Sequence, residues 1–296
     1  RPSERGAGPE RPSERGAGPE RPSERGAGPE RAPLALRNPR IQRLRRLARD
    51  PRARRSEGVY LVEGDKLVAA ALAAGAPVEG VYRAGGYSGQ VIASAEDAGV
   101  PTHVLAPGVL ERVSDTVTPQ PVVALVATTP VGLDDLLEPA AEPGALVVVC
   151  VEVQDPGNLG TVVRSAQAAG AVGIISCDGN ADPYGPKSVR ASAGAVFHLP
   201  IVAGGAPVEV LEELGSWGMR RIGARATGGA AYHDADLRGP TALVLGNEAH
   251  GLAPEVEAVL DGLISIPMAE PAESLNVAAA AAVLCFEAAR QRHMLP

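Results

Sequence analysis

Residues 145–171 read "ALVVVCVEVQDPGNLGTVVRSAQAAGA". Ala145 to Val151 is an unbroken apolar run, which is how a strand covered on both faces reads, and such strands belong to parallel sheets. Pro156 and Gly157 then turn the chain, Asn158 is placed to cap, and a helix follows from which Arg164 projects. The alternation continues with strand "GIISCD" (173–178), helical "GPKSVRASAGA" (185–195) and strand "HLPIV" (198–202). Further strands read in "RRIGARAT" (220–227), "TALVLGNE" (241–248) and "LISIPMA" (263–269), with helical material between them. Strands alternating with helices imply an α/β fold with a mostly parallel sheet, whose ligands gather beyond the C-terminal strand ends.

Upstream, "GVYLVEGDKLVAAALAAGAPVEGVYRA" (58–84) reads as strand, helix and strand, the helix starting near Gly64 or Asp65 and stopping at Gly75. A second such unit covers 95–115, and "VVALVATT" (122–129) ends a small α/β domain, residues 57–129. Residues 130–143, rich in Pro, Gly and acids, read as a linker to a second domain, 144–296. Residues 31–56 form a basic arm: 31–55 hold ten Arg and one Asp. Residues 1–30 are three copies of "RPSERGAGPE", which are neutral and carry no aliphatic side chain larger than Ala. Such repeats bury too little to offset ordering entropy and read as disorder or an appended segment.

The net charge is −7, so a +9 arm leaves −16 on residues 56–296. That asymmetry suggests one polyanion-facing edge. Against it stands a plain amphipathic helix docked through Ile41, Leu44 and Leu47, and the segment by itself does not separate the two. Cys150, Cys177 and Cys285 lie in apolar runs without close spacing, as buried, reduced thiols do. Neither they nor the five His show metal-ligand spacing, so no metal is expected. No leader is evident and no apolar run reaches a membrane span, which gives a cytoplasmic expectation.

Three loops follow strands. In 155–166, Asp178 lies twenty residues past Asn158, as in a dinucleotide fingerprint, but G-x-G-x-x-G is missing. In "LVLGNEAHGL" (243–252), Gly246 lets a ligand approach the backbone, Gly251 relieves the return turn, and Glu248 is an acid without an adjacent base. In "IPMAEPAESLNVAAAAAV" (266–283), Ser274 can cap an alanine helix and Asn276 offers a donor and an acceptor.

Together these loops resemble the three motifs of the SpoU/TrmH family of RNA ribose 2′-O-methyltransferases, within the SPOUT superfamily, over residues 144–290. "VRASAGAVFHLPI" (189–201) resembles the segment between motifs, and 60–128 is similar to the L30e-like domain fused in front of some members. The resemblance implies a trefoil-knotted parallel-sheet domain behind a small L30e-like α/β domain. It implies an S-adenosylmethionine site near Gly246, Ile266, Met268 and Leu275, and a catalytic set of Asn158, Arg164, Glu248, Ser274 and Asn276. It also implies a homodimer through the knotted domain and an RNA substrate, 23S ribosomal RNA ahead of tRNA, because the fused domain resembles the ribosomal branch. Resistance to a ribosome-targeting antibiotic is a role some relatives have. Where the family has Gly, this chain has Glu270, so a positive φ there would be costly. A nicotinamide-dependent oxidoreductase and a catalytically silent ribosome-assembly factor are the alternatives; the first leaves Ser274 to Asn276 without a purpose.

Overall fold

A computed structural model describes residues 32–271 and 273–292; the repeat reading of 1–30 and His293 lie outside the described residues. Two helices open the described chain: α1 (Pro39–Arg49) and α2 (Pro51–Glu57). Asn38 and Asp50 cap them, accepting from the backbone N–H of Arg40 at 2.9 Å and of Arg52 at 2.8 Å, and a proline begins each, where no N–H is needed. Ile41, Leu44 and Leu47 are fully buried against Leu61, Leu105 and Leu125 of the first sheet. At about 1.5–3 kcal/mol for each such side chain, docking decides the placement of α1. Its Arg side chains take the other face. The arm is thus both an amphipathic helix and a basic surface.

The first sheet contains β1 (Val59–Glu63), β2 (Val78–Ala84), β3 (Thr102–Leu105) and β4 (Val122–Ala127) in the order β1-β4-β2-β3. The β1–β4 and β4–β2 pairs are antiparallel and β2–β3 is parallel. Helices α3 (Asp65–Ala73), α4 (Gln90–Asp97) and α5 (Leu110–Val113) connect them. Gly64 precedes α3 and Gly75 follows it, as the sequence predicts. Residues 130–143 hold a 3₁₀ turn (Asp134–Leu136) and α6 (Leu137–Ala141). Leu136 and Ala140 are buried against the second sheet, so this connection is packed along half its length.

The second sheet has seven strands: β5 (Leu146–Cys150), β6 (Gly173–Ser176), β7 (Ile201–Ala203), β8 (Arg220–Arg225), β9 (Ala230–Ala231), β10 (Thr241–Leu245) and β11 (Gly262–Ser265). Their order is β7-β6-β5-β10-β8-β11-β9 and every pair is parallel. Strands β5 and β10, at the centre, are buried at every position, which explains their unbroken apolar sequences. The connections run one way from β5 and the other way from β10, so the crevice for a ligand opens at their C-terminal ends.

Helices α7 (Pro156–Ala168), α8 (Pro186–Ser192) and α11 (Val277–Gln291) share a core with the first sheet, while α9 (Pro207–Ser216) and α10 (Pro254–Glu257) cover the other face. Gly160 explains the closeness of α7 and α8: a Cβ there would lie 2.2 Å from the Ser188 carbonyl oxygen. The two sheets belong to one compact unit.

Candidate active site

Three loops meet at the C-terminal ends of β5 and β10. In the first, Asp155 caps α7, accepting from the N–H groups of Gly157 at 2.7 Å and Asn158 at 3.0 Å. The sequence pattern assigns that cap to Asn158 and the turn to Pro156 and Gly157. These three residues are instead the first turn of the helix, because the acid one residue earlier reaches both free N–H groups. Lys187 pairs with Asp155 at 2.7 Å and, with the two backbone bonds, holds its carboxyl below its ordinary value.

Asn158 is freed to act sideways. Its Nδ2 donates to Glu248 Oε1 at 2.9 Å, and its Oδ1 accepts from Asn276 Nδ2 at 3.0 Å. Asn276 Oδ1 in turn accepts from the N–H groups of Ala278 at 2.9 Å and Ala279 at 3.4 Å. Asn276, not Ser274, therefore caps the alanine helix α11; Ser274 lies two residues too early for those N–H groups. One side chain ends a helix with its oxygen and continues a polar chain with its nitrogen. Partial burial raises the Glu248 carboxyl, but the Asn158 amide and nearby backbone N–H groups outweigh it, leaving Glu248 below its ordinary value.

The second loop closes on itself. Asn247 and Gly251 exchange backbone hydrogen bonds of 2.9 and 3.0 Å, and Asn247 Oδ1 accepts from Ala249 and His250 N–H. Gly251 has φ +71°, as its turn requires. Gly246 also serves packing within the chain: a Cβ there would lie 2.6 Å from the Gly251 carbonyl, so the return strand itself comes this close. Asn247 Nδ2 donates to the Glu152 carbonyl at 3.0 Å, tying this loop to the first.

Beside the polar chain is a cavity of about 490 Å³, lined by Gly246, Glu248, Ile266, Met268, Ser274 and Leu275 among others. All four residues expected at the methyl donor are in its wall. Sequence reasoning missed Ala224 to Thr227 at the end of β8, and Val277, Ala280 and Leu284 of α11, which complete that wall. It also missed Asn247, whose Asn-x-x-x-Gly turn signal was there to be read. Glu270 does not have a positive φ, so the loop turns without the expected strain.

Arg164 is exposed on α7 and makes no hydrogen bond or ion pair with the described residues. Six residues past Asn158, it lies about 120° around the helix from it, outside the Asn276–Asn158–Glu248 chain.

A deep parallel sheet with a cavity and convergent amides at its switch point defines a small-molecule-dependent enzyme of the α/β class. The chain belongs to the SpoU rRNA methylase family, whose model matches residues 145–286; the MRM3-like substrate-binding domain matches 38–124. It is 33% identical over 270 residues to the 23S rRNA (uridine(2479)-2′-O)-methyltransferase of Streptomyces viridochromogenes, covering 86% of this chain and 91% of that one. It is 32% identical to the 23S rRNA (guanosine(2553)-2′-O)-methyltransferase RlmP of Bacillus subtilis, covering 79% and 89%. The structure of the SpoU methyltransferase AviRb from Streptomyces viridochromogenes in complex with AdoMet aligns with TM-score 0.77 and 33% identity, over 87% of this chain and all of that one. An AdoMet-bound rRNA methyltransferase from Sinorhizobium meliloti aligns with TM-score 0.74 and 31% identity, over 88% and 97%.

Proposed function

We propose that the protein transfers the methyl group of S-adenosylmethionine to a ribose 2′-hydroxyl of 23S ribosomal RNA. The observation that carries this is the cavity holding Gly246, Ile266, Met268 and Leu275 directly beside the Asn276–Asn158–Glu248 chain. The cavity fits the donor. Its volume is within the range of about 300–1,000 Å³ for small-molecule sites, Leu245, Ile264, Ile266 and Leu275 supply apolar walls, and Glu248 and Glu257 offer carboxylates. When bound, S-adenosylmethionine supplies an electrophilic methyl on a cationic sulfur.

The chain's own residues have to align a hydroxyl and help remove its proton, and alignment can supply much of the rate. Asn276 and Ser274 hold the loop and the reacting ribose. Glu248, kept below its ordinary value, is a weak base at neutral pH; it orients Asn158 rather than accepting the proton. Arg164 binds the neighbouring phosphate and stabilises the developing alkoxide, because a guanidinium holds its own proton too firmly to act as base. A phosphate oxygen or water accepts the proton.

The arm fits an RNA partner. Arg37, Arg40, Arg52 and Arg55 are exposed and make no ion pair among the described residues. Phe286, 39% exposed on α11, supports a homodimer through the second domain, and the strand order of that domain supports a trefoil knot. No described helix is long and apolar enough to cross a membrane. Protection against a ribosome-targeting antibiotic is the physiological reading we attach to the Streptomyces likeness.

The test is methyl transfer from labelled S-adenosylmethionine to unmodified ribosomal RNA and, in parallel, to tRNA, with mapping of the alkali-resistant ribose. One 2′-O-methyl site in 23S RNA is expected. Methylation of tRNA alone, or of a base, overturns the reading.

A further inference from the structure

The loop from β5 to α7, residues 151–155, holds the site together from below. Glu152 has φ 55° and turns its carbonyl to Asn247 Nδ2, Gln154 N–H points to Glu248 Oε2 at 3.5 Å, and Asp155 caps the helix that carries Asn158. The β5–β6 ladder that would anchor this loop ends at Cys150–Ser176. Beyond it the support comes from Asn180, in the connection between β6 and α8. Its Oδ1 accepts from the Val153 N–H at 2.6 Å, and its Nδ2 donates to the Cys150 carbonyl at 2.6 Å and the Cys177 carbonyl at 2.8 Å. The next residue, Ala181, donates its N–H to the Val153 carbonyl at 2.9 Å. Both ends of one side-chain amide thus replace the missing rungs between two diverging strands.

We infer that Asn180 is a positioning residue for methyl transfer, holding Val153 so that Glu152 and Gln154 meet Asn247 and Glu248. It touches neither the cavity nor the amides of Asn158 and Asn276, and acts only through the loop it clamps. The cavity wall comes from the ends of β8 and β10, the 246–252 hairpin, the 266–275 segment and α11, and Asn180 bonds none of them directly. A slack 151–155 loop acts first on Asn158, whose helix Asp155 caps, and reaches the cavity only at one edge, through Asn247 and Glu248, while the β8, 266–275 and α11 walls keep their places. This inference rests on the methyltransferase reading above.

The experiment compares wild type, Asn180→Ala and Asn180→Asp in the full chain, measuring kcat, KM for RNA, S-adenosylmethionine affinity by calorimetry, and thermal unfolding. Asn180→Ala is expected to lower kcat at least tenfold while donor affinity stays within threefold. Asn180→Asp is expected to lower kcat further, because it sets a carboxylate oxygen against the Cys150 and Cys177 carbonyls where an amide donated to both. A kcat within twofold of wild type, or donor affinity falling in step with kcat, overturns the inference. Wild type without methyl transfer overturns the functional reading instead. If Asn180→Ala loses its cooperative melt, Asn180→Ser, which keeps one polar contact, is judged by the same two criteria.

Discussion

Replacing Gly246 by Ala tests whether the cavity and its closing loop are built as described. The added Cβ would stand 2.6 Å from both the carbonyl carbon and oxygen of Gly251 and 2.8 Å from the Leu252 nitrogen, all backbone atoms of the return strand. Real Cβ atoms do not approach that closely, and no flexible side chain can yield here, so the Asn247–Gly251 hairpin must shift. That hairpin carries Glu248 and one wall of the cavity. Gly246 itself does not need a positive φ, so the cost is steric. Overpacking of this kind costs roughly 1–3 kcal/mol, a factor of about 5 to 150 where it falls on donor affinity. Isothermal titration with S-adenosylmethionine and a thermal melt together capture the loss, whichever state bears it. Gly251→Ala is the control, since a Cβ there meets nothing within 4 Å and only the backbone at φ +71° resists, at about 1–2 kcal/mol. A Gly246→Ala protein that binds the donor within twofold of wild type and melts at the same temperature would refute the reasoning.

Glu248→Gln should behave differently with pH. The folded Glu248 carboxyl lies below its ordinary value of 4.5, so its stabilising contribution is present above that value and fades as pH falls through the folded value. Urea melts of the two proteins should converge in acid and diverge toward neutrality; a constant gap would refute the shift. Arg54 and Asp182 form an ion pair at 2.6 Å with side chains only 6% and 18% exposed. Arg54→Met should cost about 3 kcal/mol because it leaves the largely buried Asp182 carboxylate without its counter-charge, and adding Asp182→Asn, which keeps an oxygen for the Tyr184 N–H, should restore part of it; a loss under about 1 kcal/mol in denaturant melts would refute that. Arg52→Gln with Arg55→Gln should weaken RNA binding and flatten its dependence on log salt by about 0.7–0.9 for each phosphate no longer neutralised, as read by filter binding. An unchanged slope would place the RNA elsewhere.

Most of the strands and helices were legible because burial leaves a periodic trace: β5 and β10 are apolar at every position, and α1 shows its core face every third residue. The loops were legible as motifs but not in detail. Whether Ser274 or Asn276 caps α11 depends on where the backbone turns, and two polar residues two positions apart give no means of choosing. Asp155 and Asn158 posed the same ambiguity. Ala224 to Thr227 look like an ordinary strand end, and only the placement of β8 beside β10 brings them to the cavity. Arg54 and Asp182 meet across 128 residues of chain, a pairing with no local signature.

That long-range pairing bears on how the two domains work together. Of the ten Arg in the arm, Arg43 binds Glu57 and Glu79, Arg46 binds Glu57, and Arg54 binds Asp182, so three serve structure and others are left for a polyanion. Arg54 reaches the loop that leads into α8. From α8 itself Arg190 extends to Asp115 at 2.7 Å and Glu63 at 3.6 Å, and Glu63 is buried in hydrogen bonds with Ser114, Thr116 and the Gln120 N–H. The arm and the first domain therefore grip the second domain at both ends of α8. Helix α8 lies against α7 at the Gly160–Ser188 approach, and α7 carries Asn158. The distance from the arm to the methyl-transfer site is thus fixed through α8, by ion pairs and helix packing. RNA held on the arm's free arginines would meet the site at a fixed reach, which is how a protein with two Phe, one Trp and five Tyr, too few to suggest an aromatic stacking platform, could still select one ribose.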